Sequence, residues 1–193
     1  MSHRVRGIVR PAVAGLLIML AAACSGGGWS GPSLRPAGNP NTSADGFQGM
    51  NPALHALVGG MIFCLTGPGR AVITAVRPIH PIGTIEVVGY AVRPNPFPRG
   101  EAGLSGTGTL RTHGFTADRT VDVPCVGVNG YELGLELTVP PGTNAGANGW
   151  EIDYRVGDHT ASTTFPLSTV LCSTPSTDDK PCKHVWQQYG LPW

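Results

Sequence analysis

Several groups of side chains in this sequence are of types that do chemistry. His55 lies in "NPALHALVGGM" with Met50 and Met61 around it. Imidazole and thioether sulfur form the donor set of copper sites. Their spacing here matches no copper motif, and a surface or capping histidine is the competing reading. Glu132, Glu136, Glu151 and Asp153 fall at alternate positions of two segments. Carboxylates turned the same way supply the oxygen ligands that calcium takes, or they simply solvate a face. The tail "KHVWQQYGLPW" gathers Trp186, Tyr189 and Trp193. These rings either fold back onto the domain or form an aromatic patch for an envelope protein or glycan. "GLSGTGTL" at residues 103–110 invites a hydrolase reading, but G-x-S-x-G needs glycine two places after the serine, where Thr107 stands. It is not a dinucleotide-binding glycine loop either. No catalytic residues and no cofactor are expected.

The five cysteines, Cys24, Cys64, Cys125, Cys172 and Cys182, set a counting problem, because an odd number in an exported chain leaves one thiol unpaired. The chain opens "MSHRVRGIVR", basic and free of acids, and continues "PAVAGLLIMLAAAC". A positive segment followed by about thirteen apolar or small residues is the layout of a secretory signal. It is short of the roughly 20 residues that a membrane-spanning helix needs. "LAAAC" resembles the lipobox of bacterial lipoproteins, with Ala21 where that family prefers leucine. The resemblance implies cleavage after Ala23 and lipid modification of Cys24, hence a chain anchored on the extracytoplasmic face of the cell membrane. The alternative is secretion with a free thiol. Eleven arginines against two lysines, with abundant Ala, Gly and Pro, resemble the usage of high-GC actinobacterial proteins.

The domain limits follow. Residues 1–23 read as signal peptide and 24–52 as the lipidated cysteine and a disordered Gly/Ser/Pro/Asn tether, which offers too little apolar surface to offset its ordering entropy. Residues 53–173 read as the folded domain, and 174–193 as an aromatic tail pinned by a disulfide. Three of the thirteen basic residues and none of the twelve acidic ones precede Cys24, so the exported part is slightly acidic and carries no basic patch for nucleic acid.

What remains must be built from strands, since 28 glycines and 18 prolines oppose a helical bundle. "YELGLELTV" alternates strictly, with Tyr131, Leu133, Leu135, Leu137 and Val139 inward. "WEIDYRV" places Trp150, Ile152, Tyr154 and Val156 inward, and "TASTTFPLSTVL" follows with Pro166 marking an edge or a break. "RAVITAVRP" and "TIEVVGYAVRP" are apolar on both faces, which predicts central strands. "MIFCLTG" and "RTVDV" add short strands, and "NPALHALVGGM" a short helix. Six or seven strands at this spacing predict an all-β sandwich. Direct pairing of the two alternating segments would bring Glu136 near Asp153, so they are expected in opposite sheets. "VPPGTNAGANGWEIDY" resembles the approach to the F strand of immunoglobulin-like domains, with Tyr154 near a corner tyrosine, which implies an Ig-like sandwich. The gap between Cys172 and Cys182 favours that pair, with Cys64–Cys125 as the other; Cys64–Cys172 is the alternative. No C-x-x-C suggests zinc. The functional expectation is a lipid-anchored, non-enzymatic binding or structural module of the envelope. A metal-binding protein is the second reading, using His55, Met50 and Met61 for copper or the carboxylate face for calcium. An exported enzyme is the third.

Overall fold

A computed structural model describes residues 29–37, 43–51, 53–96, 104–127, 129–174 and 180–189. Ten strands occur among them: β1 (Leu34–Pro36), β2 (Ser43–Phe47), β3 (Ala56–Leu65), β4 (Ala71–Pro78), β5 (Glu86–Pro94), β6 (Ser105–Thr107), β7 (Thr120–Val121), β8 (Tyr131–Thr138), β9 (Ala145–Val156) and β10 (His159–Leu171). One helix, α1 (Lys180–Gln188), closes the described chain. One sheet runs β1-β3-β8-β5, with β6 beside β3; the other runs β2-β10-β9-β4-β7. All pairs are antiparallel except β2 with β10.

The period-2 apolar positions meet between the sheets. Leu133, Leu135 and Leu137 of β8 face Trp150, Ile152 and Tyr154 of β9 in one buried cluster. The Trp150 indole N–H donates to Thr169 Oγ1 at 3.3 Å, and the Phe63 and Phe165 rings meet edge to face at 5.5 Å. The protein is an all-β sandwich, with β8 and β9 in opposite sheets. Taking β3, β4, β8, β9 and β10 as B, C, E, F and G, the B·E and C·F·G pairings are those of immunoglobulin domains. The disulfide departs from that pattern: Cys64 at the end of β3 joins Cys125 in the loop after β7, not β9.

Several expectations change. The folded unit begins at Gly31, not at residue 53. β1 and β2 fall in the stretch read as tether, because edge strands need few apolar residues once a neighbour supplies the ladder, and Met50 is 99 % buried in the core. "NPALHALVGGM" is not a helix but leads into β3, where Gly60 takes φ 77° at a shift in register. Among the described strands β5 is an edge strand rather than a central one, paired only with β8. Its second apolar face carries Ala91, which packs against Leu110 and Phe115. At Pro166 the β9–β10 ladder breaks, and β10 resumes with Ser168 opposite Asn148.

Candidate functional site

The outer face of the β3–β8–β5 sheet is partly covered. Residues 104–116, comprising β6 and a 3-10 turn at Leu110–His113, lie across it as a flap. Leu110 and Phe115 pack on Leu57 and Ala91, with Leu104 beside them, in a second small core. Gly134 makes room for this: a Cβ there would lie 2.7 Å from the Phe115 ring and 2.8 Å from Leu110. Ala91 in this core is why β5 reads as apolar on both faces.

Glu132 and Glu136, expected to face water, lie beneath the flap and hold it. The Glu132 carboxylate is fully buried. Its Oε2 accepts from Arg93 Nε at 2.8 Å and pairs with Nη2 at 2.7 Å. Its Oε1 accepts the backbone N–H groups of Gly60 and Leu104, each at 2.9 Å. Arg93 also donates to the His113 carbonyl and lies over the Phe115 ring, 4.4 Å from its centre. Glu136 Oε2 accepts the Leu110 N–H at 3.1 Å, and Oε1 is 2.5 Å from His55 Nδ1. A buried carboxylate survives only with such partners. Sequence reasoning missed Arg93, whose signal was a charged residue directly after the apolar run Tyr90–Val92.

The flap and β5 border an open cleft of about 560 Å³, lined among others by Tyr90, Leu110, Arg111, Phe115, Arg119 and Glu136. The Arg119 guanidinium lies 4.2 Å from the Tyr90 ring centre and donates to its hydroxyl at 3.2 Å; that hydroxyl donates to the Thr74 carbonyl at 2.6 Å. Among the described residues neither Arg111 nor Arg119 has a carboxylate partner. Beside the cleft, Asp118 receives the Thr120 N–H at 3.0 Å, and the hydrogen bonds of Thr120 hold its carboxyl below the usual range.

The other predicted site residues are dispersed. Met50 and Met61 belong to the inter-sheet core, while the His55 ring is held by Glu136, so the three do not form a copper site. Glu151 and Asp153 lie on the opposite sheet from Glu132 and Glu136, so the four carboxylates are not one face. Arg77 binds both oxygens of Asp153, at 2.5 and 2.8 Å, and reaches Glu151 at 3.3 Å. Among the described residues no three His, Cys, Asp or Glu side chains converge as a metal site. Cys64 pairs with Cys125 and Cys172 with Cys182, with Cα separations of 5.0 and 5.6 Å.

Trp186 and Tyr189 pack with Val170, Cys172, Cys182 and Val185 under α1. The Tyr189 hydroxyl accepts the Ile82 N–H and donates to the His80 carbonyl, both at 3.1 Å, and burial pushes its pKa up. Cys24 and Trp193 lie outside the described residues.

The class these features define is a disulfide-bridged all-β sandwich with immunoglobulin-type strand pairing and one partly covered outer face. No protein-family model matches the chain, and no curated protein resembles it in sequence.

Proposed function

We propose that this protein is a lipoprotein of the bacterial cell envelope, anchored through Cys24, whose sandwich is a non-enzymatic binding module. One observation carries the reading. The two disulfides pair all four described cysteines with one another, so none of the four is left to bridge Cys24. Cys24 stands at the end of the lipobox-like "LAAAC", and bridges of this kind belong to an oxidising compartment. Leu34, the start of β1, is ten positions after Cys24, so the sandwich is held within about 35 Å of the lipid even when the link is fully extended.

The binding surface is the cleft between the flap and β5. Arg111 and Arg119 favour an anionic group on an envelope protein or glycan, and the Arg119–Tyr90 contact fixes one guanidinium in place. Every described cysteine is bridged, which leaves no described thiol as a nucleophile. The test is intact mass and membrane partition of the native protein beside Cys24→Ala. The expected mass is that of residues 24–193 plus a diacylglyceryl group, with both the added mass and membrane retention lost in the variant. A soluble, unmodified chain beginning at Cys24 would overturn the anchor.

A further inference from the structure

The loop after β7 is apolar, exposed and braced. Val126 is 63 % exposed, the most exposed large hydrophobic among the described residues. Val123, Pro124 and Val126, with Pro94 and Tyr131, border a shallow cleft of about 360 Å³. The loop is fastened to the end of β3 three ways. Leu65 N–H donates to the Val123 carbonyl at 2.9 Å, Cys125 N–H donates to the Leu65 carbonyl at 2.8 Å, and Cys125 is bridged to Cys64.

The chain also enters the sandwich at this point. Leu34 pairs with the same Leu65, and Thr66 N–H donates to the Ser33 carbonyl at 2.9 Å. Leu65 thus has the incoming strand on one side and the apolar loop on the other. Arg35 Nε lies 3.1 Å from Cys125 Sγ, so an exposed cation borders the loop. Its neighbouring acid, Asp122, accepts the Tyr131 hydroxyl at 3.0 Å.

We propose that residues 123–127 are the surface with which the anchored domain rests on the phospholipid bilayer. The inference depends on lipid anchoring at Cys24. An anchor ten residues upstream of β1 brings this end of the sandwich to the membrane first. An apolar loop flanked by arginine suits the boundary between acyl chains and anionic headgroups. The disulfide fixes the backbone from which Val126 projects outward. A second exposed valine, Val88 at 50 %, serves as an internal control. It stands six residues back along β5 from Pro94, about 20 Å towards the opposite end.

The test uses the full-length lipidated protein in vesicles of phosphatidylglycerol and phosphatidylethanolamine. A benzophenone amino acid replaces Val126 or Val88, and lipid adducts are read by mass after irradiation. About ten-fold more lipid adduct at 126 than at 88 is expected for a loop seated in the interface. Equal or absent adducts on protein that still floats with the vesicles would overturn the docking and leave the anchor standing. A chain-to-chain adduct at 126 would assign the loop to a second copy, also overturning it. Protein that does not float at all would overturn the anchor itself.

Discussion

Replacing Arg93 by methionine should loosen the flap from the sheet. Methionine keeps much of the aliphatic stem over Phe115 but removes both contacts to Glu132 and the bond to the His113 carbonyl. The Glu132 carboxylate, fully buried, would be left with two backbone N–H groups and no cation. Breaking a buried pair from one side costs about 3–5 kcal/mol. In a domain of this size that lowers the melting temperature by roughly 6–20 °C. Glu132→Gln should cost less, about 1–3 kcal/mol, because the amide oxygen still accepts from Gly60 or Leu104 and Arg93, 19 % exposed, can turn to water. Arg93→Met combined with Glu132→Leu should not regain full stability, because Leu104 and Gly60 then bury N–H groups without acceptors. Urea unfolding gives the free energies, and hydrogen exchange at the Leu104 and Leu110 amides reports the flap directly. A cost for Arg93→Met below about 1 kcal/mol, with unchanged protection at Leu104, would refute the idea that the carboxylate holds the flap.

Two further predictions concern other parts of the fold. Gly46→Ala would place a methyl group 2.1 Å from Trp186 Cζ2, so the ring must leave its seat; a loss of about 1–3 kcal/mol and a red-shifted tryptophan emission are expected, and an unchanged melting temperature would count against the packing described. For Asp45, burial pushes the carboxyl above its ordinary 3.8, partly offset by the Ser105 hydroxyl. A raised folded pKa means that its contribution to stability is complete below about 3.8 and is lost as pH rises through the folded value. Asp45→Asn should therefore be more stable than the native chain at pH 7 and match it at pH 3, as compared by denaturant midpoints.

Much of the sandwich is legible because its information is local. Alternation in "YELGLELTV" and "WEIDYRV" identifies β8 and β9 and their inward sides, and proline at 166 marks the interruption in β10. β1 and β2 escape such reading. Leu34, Phe47 and Met50 are apolar residues scattered through glycine, serine and proline, and their strands exist because β3 and β10 offer edges to pair with. Tertiary context supplies what propensity does not. The same holds for α1: its helix is seated by Trp186 against Gly46 and by Tyr189 against Gly146, contacts between residues more than forty positions apart.

The carboxylates show where alternation misleads. In a half-buried strand the polar phase is read as facing water, and Glu132 and Glu136 occupy that phase. Period 2 fixes only that both point away from the Leu133–Leu135 side; it says nothing of what lies there. The residue between them carried the missing information. Gly134 interrupts the polar face of an otherwise regular strand, and glycine inside a strand marks the close approach of another group. Here that group is the Phe115 ring, 2.7 Å from where a Cβ would stand. Gly59 on the neighbouring strand does the same for Leu104, at 2.8 Å. Two glycines on adjacent strands, beside two glutamates and an arginine of β5, describe a partly covered sheet face with buried charges. Each is ordinary alone, and the pattern emerges only once strand order puts β3, β8 and β5 side by side. A polar strand face interrupted by glycine is therefore better read as a place where another segment docks than as a solvated surface.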